Sequence, residues 1–103
     1  MLTDNEVRTM FGKMLQLQDL RNEKFELRMQ IELNAVQIEL LLKDLAQVKH
    51  MNIHHGGDAK QTATINANID YWQRRQRGHD REFTKICSKI DRLRLELQID
   101  IHG

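Results

Sequence analysis

The chain has no proline, a single cysteine (Cys87), and aromatic residues at only 5% of its 103 positions. Each shortage excludes something. Without proline, no residue both withholds a backbone donor and clashes with the preceding turn, so nothing obliges a helix to stop. One cysteine rules out an intrachain disulfide, the staple on which small secreted domains rely. Few aromatics leave little bulk for a rounded core. No apolar run approaches the roughly 20 residues of a membrane span. The start, MLTDNEVRTM, has neither the basic end nor the apolar centre of a signal peptide. The net charge is +1, so overall charge selects no partner. The expectation is a single domain, soluble and cytoplasmic, with no membrane partner.

What is present points to long helices. Hydrophobic residues make up 40% of the chain and charged residues 30%, and Leu, Gln, Glu, Arg and Lys dominate, all good helix formers. In LTDNEV, Thr3 can cap a helix while Glu6 reaches back, and Leu2 and Val7 sit at the staple positions around that cap. The first helix is predicted from about residue 4 to about 53, roughly 75 Å at 1.5 Å per residue. VKHMNIHHGGDAKQTATI, Val48 to Ile65, is the one interruption. Gly56 or Gly57 can take the left-handed conformation that ends a helix. Asp58 can cap the next, with Gln61 in the capping-box position. A turn over 54–58 and a second helix over about 59–101 follow, with Gly78 as the place for a kink.

Both helices show the 3-4 apolar spacing of coiled coils. The first seam includes Leu17, Leu20, Lys24, Leu27, Ile31, Asn34, Ile38, Leu41, Leu45 and Val48. The second includes Ile65, Ile69, Trp72, Gln76, His79, Phe83, Ile86, Ile90, Leu93 and Leu97. Folding the chain at the glycines sets Leu45 against Ile65, Leu41 against Ile69, Leu27 against Phe83 and Leu17 against Leu93. The same register sets Asn34 against Gln76, a polar layer in which two amides could satisfy one another and penalise other registers. The predicted fold is all-α: a long antiparallel two-helix coiled-coil hairpin.

A hairpin alone leaves a second stripe uncovered. Phe25, Met29, Leu33, Val36 and Leu40 share another face of the first helix, since at 100° per residue Met29 lies nearly opposite Ile31. A helix apolar on two sides is buried on two sides. The economical solution is self-association into a four-helix bundle or higher oligomer, a dimer being favoured, or docking of another protein.

Other candidates are weaker. His50 and His54 are spaced i, i+4 and Asp58 could add an oxygen, but a zinc site ordinarily needs more ligands, often thiolates. A solvated helix end accounts for the histidines equally well, so no metal or other cofactor is expected. Arg74, Arg77, Arg81 and Lys85 share one face of the second helix, extended by Lys89 and Arg92, and such a row could follow a phosphate backbone. Asp19, Glu23, Glu26 and Glu32 are expected to flank it in the hairpin and pair with it, the ordinary use of charges beside a coiled-coil seam. Tyr71 and Trp72 could stack bases, but Trp72 lies on the seam. No phosphate loop, nucleophile elbow or pair of catalytic carboxylates appears. The reading is a non-enzymatic structural, adaptor or chaperone-like assembly protein acting through protein–protein contact. The alternative is a nucleic-acid-associated accessory protein using the basic face.

Overall fold

The structure is a computed structural model that describes the backbone of residues 1–55 and 59–102 and the side chains of 1–50 and 59–100. Two helices account for it: α1, Asp4–His55, and α2, Ala59–His102. They pack against each other as a hairpin, and no strand occurs among the described residues. α1 runs two residues further than the sequence suggests. The proposed turn over 54–58, with its glycines and the Asp58 cap, lies outside the residues whose side chains are described.

The start of α1 follows from its first residues. Glu6 N donates to Thr3 Oγ1 at 3.2 Å, and Thr3 Oγ1 donates to Glu6 Oε1 at 3.2 Å. Val7 N donates to the Thr3 carbonyl at 3.0 Å, opening the helical ladder. This satisfies donors that a bare helix end leaves unpaired. Asp4 and Glu6 place negative charge in the first turn, where the helix dipole favours it. Leu2 and Val7 stay exposed. Both helices continue unbroken through their internal glycines, Gly12 and Gly78.

The packing divides into two compact units, each built from both helices. The first comprises Met1–Arg28 and Arg81–Gly103. Its core is Leu17, Ile86, Ile90, Leu93 and Leu97, with Met10, Leu20 and Leu27 packed against it. Burying such side chains contributes roughly 1.5–3 kcal/mol each. Lys24, a charged residue on the apolar seam, sets its ammonium 5.8 Å from the centroid of the Phe83 ring. The ring's negative face holds the charge, while the aliphatic stem lies along the seam.

The second unit is Met29–Asp80. Leu41, Val48, Ile65 and Ile69 form its core, with Leu45 and Trp72 packed on them. It also holds the polar layer, whose hydrogen bonds differ from the expected amide pair. Asn34, only 2% exposed, donates from Nδ2 to His79 Nδ1 at 2.9 Å. Gln76 Nε2 donates to the Ile31 carbonyl at 3.1 Å, and Gln76 Oε1 is buried with no partner. The lean of helical side chains toward their own N-termini carries Asn34 toward the turn of α2 that bears His79. The long Gln76 side chain reaches against its lean, to the Ile31 carbonyl on the N-terminal side of Asn34.

Candidate interaction surfaces

α1 is apolar on two opposite faces, and α2 covers one of them. In the second unit Met29, Leu33, Val36 and Leu40 follow one another at steps of 4, 3 and 4, a single helical face. In the first unit Phe25 occupies the corresponding phase. These five side chains are between 43% and 64% exposed, so the hairpin leaves in solvent the residues expected to drive association. The first unit adds Phe11, Met14 and Leu15, also exposed, beside Leu17 and Leu97 along one open groove rimmed by Arg21. The earlier stripe began at Phe25. Phe11 and Leu15 share its phase but are cut off from it in sequence by Gln18 and Asn22, which hides them from a search for unbroken apolar spacing.

The basic face of α2 is exposed along its length: Arg74 and Arg77 in the second unit, Arg81, Lys85, Lys89 and Arg92 in the first. The interhelical ion pairs expected for it do not form. Arg74 pairs within α2 instead, its Nη2 lying 2.8 Å from Asp70 Oδ2. None of the other five makes an ion pair among the described residues. Asp19, Glu23 and Glu96 line a groove with Lys89 and Arg92, yet no pair closes across it. Arg81 and Lys85 lie further around α2 from the seam than Lys89 does.

Among the described residues, the one interhelical ion-pair clasp in the first unit was not foreseen. Lys13 Nζ lies 2.7 Å from Asp100 Oδ2 and 3.9 Å from Glu96 Oε2. The hydrogen bond to Asp100 holds the Lys13 ammonium above its ordinary 10.5, desolvation opposes this, and the charges of Asp100 and Glu96 reinforce it. Lys13, Glu96 and Asp100 are polar residues near the end of an apolar seam, and only the pairing of the two helices identifies them as partners.

Trp72 packs on the second unit's core, while Tyr71 stays exposed beside it. Their rings meet edge to face at 5.3 Å, Arg75 lies over Trp72 at 5.8 Å, and Arg75 Nη1 donates to the Tyr71 hydroxyl at 3.3 Å. His50 is exposed near the end of α1. The His54 side chain and Asp58, the other metal candidates, lie outside the described residues. Among the described residues no three His, Cys, Asp or Glu side chains come together as a metal site. Cys87 is a half-buried free thiol. Among the described residues no helix is long and apolar enough to cross a membrane.

No protein-family model matches the chain, and comparisons with characterised proteins and with solved structures return no match.

Proposed function

We propose that the chain is a non-enzymatic assembly protein, a helical hairpin that acts by joining other copies of itself and, through them, a protein partner. One observation supports this above the rest: in the second unit Met29, Leu33, Val36 and Leu40 stand in solvent on the face of α1 turned away from α2, and in the first unit Phe25 does the same. Exposed apolar residues scattered singly are ordinary on a protein surface, but a row of them in helical phase is the signature of a surface that is covered in use. Bringing two such rows together gives a four-helix bundle with the ordinary packing of long helices. The methionines suit the role, since their unbranched side chains adapt to an opposing surface. The described concavities are open grooves along the helices, which favours an interaction surface over an enclosed substrate pocket.

The substitution pair Met29→Glu with Val36→Glu tests the proposal. Both positions are exposed, so the hairpin should stay helical by circular dichroism. Light scattering is expected to give an oligomer for the natural chain and a monomer for the double variant. A natural chain that is monomeric at tens of micromolar would remove the reading.

A further inference from the structure

The geometry points to a second surface: Arg81, Lys85, Lys89 and Arg92 on α2 form a binding row for the phosphate backbone of duplex nucleic acid, used without regard to sequence. This goes beyond the assembly proposal and does not rest on it. At 100° per residue the four side chains fall within about 80° of one another, and a rise of 1.5 Å spreads them over about 16 Å of helix. Ser88, also exposed, lies among them and adds a hydroxyl of the kind that commonly meets phosphate. Arg81, Lys85 and Arg92 face away from Ile86, Ile90, Leu93 and Leu97, which are buried in the first unit's core, and Lys89 stands at the flank of that core. The row is therefore held on a packed helix.

Two observations set it apart from an ordinary solvated face. The four cations are exposed, and none makes an ion pair among the described residues. Carboxylates do stand nearby. Glu82 and Asp91 flank the row on α2, and Asp19, Glu23 and Glu96 share the groove beside Lys89 and Arg92. They weaken the field on that side, but none of them closes an ion pair with the row.

The nature of the row selects the partner. Insertion into a membrane surface needs an apolar face beneath the charges, and that face of α2 is committed to α1. A single strand is usually held by exposed aromatic rings on which bases stack, and the row has none. A protein interface needs an apolar centre, and no apolar residue stands on the row between Arg81 and Arg92. What remains is a straight line of cations matched to a dense line of phosphates, where release of counterions drives binding.

Fluorescence anisotropy with a short labelled duplex tests this on the full chain. Four phosphate contacts give a log-log salt slope of about −3.6, so affinity should fall about 150-fold between 50 and 200 mM salt. Lys85→Gln with Lys89→Gln should bring the slope to about −1.8, a fall of about 12-fold over the same range. Lys85→Arg with Lys89→Arg should keep the natural slope, and circular dichroism should show all three chains equally helical. The inference is overturned by an unchanged slope in the glutamine variant or by no binding at 50 mM salt. Tighter binding to anionic phospholipid vesicles, or to a single strand, than to the duplex overturns it as well.

Discussion

Asn34 and Gln76 show how differently two amides on facing helices can be used. Asn34 is enclosed and donates to His79. Gln76 satisfies its nitrogen on a backbone carbonyl and leaves Oε1 buried without a partner. A buried polar atom without a partner costs about 1–3 kcal/mol, whereas a net hydrogen bond contributes only about 1 kcal/mol. Gln76→Leu should therefore leave stability unchanged or raise it slightly. Asn34→Leu strips His79 Nδ1 of its donor in a half-buried place and should cost about 1–3 kcal/mol. Urea unfolding of the single and double variants should give a clear coupling between Asn34 and His79, and a smaller one between Asn34 and Gln76. The reverse order would show that the two amides act on each other after all.

At the scale of the element, α1 and α2 are unlike helices. α2 is apolar toward α1 and carries a basic row on its back, with Leu95 and Ile99 left exposed toward its C-terminal end. α1 is apolar toward α2 and apolar again on its back, so one partner leaves it half exposed. Each helix also contains one internal glycine, a position where backbone entropy works against the helix. A Cβ added at Gly12 or Gly78 meets nothing within 4 Å. Gly12→Ala and Gly78→Ala should each stabilise the chain by about 0.8–1 kcal/mol. In the double variant the gains should add, because the two sites share no partner. Thermal unfolding would register this as a rise of about 4 °C or more per substitution. A loss of stability at Gly78 would mean that α2 needs its freedom there.

For the whole molecule, the assembly proposal makes stability depend on concentration. Association draws the folded chain away from the unfolded one, by about 0.7 kcal/mol per chain for each tenfold rise in total concentration once a homodimer dominates. The melting temperature of the natural chain should climb as concentration is raised from the micromolar range. That of the Met29→Glu, Val36→Glu variant should not. Scanning calorimetry at three concentrations distinguishes the two. A melting temperature independent of concentration in the natural chain would place the exposed row of α1 at rest in solvent and leave the hairpin as the complete folded unit.

Much of the architecture was legible in the residues alone. The absence of proline, the capping box at Thr3 and Glu6, and the 3-4 spacing of leucine and isoleucine specify two long helices and the faces they bury. These are local properties, in which each residue answers to neighbours three and four positions away. The two-sidedness of α1 was legible for the same reason, because it is a matter of phase on one helix. What the hairpin decided is who meets whom across the seam. Asn34 could be placed in the polar layer from sequence, but its partner His79 depends on the lean of side chains in an antiparallel pair. Lys13 finds Asp100 only when the far ends of the chain are brought side by side. The basic row of α2 was expected to be neutralised by α1. Among the described residues it makes no ion pair with α1: Arg74 turns to Asp70 within α2, and Asp19 and Glu23 share a groove with Lys89 and Arg92 without closing on them, an outcome set by the rotation of each helix about its own axis.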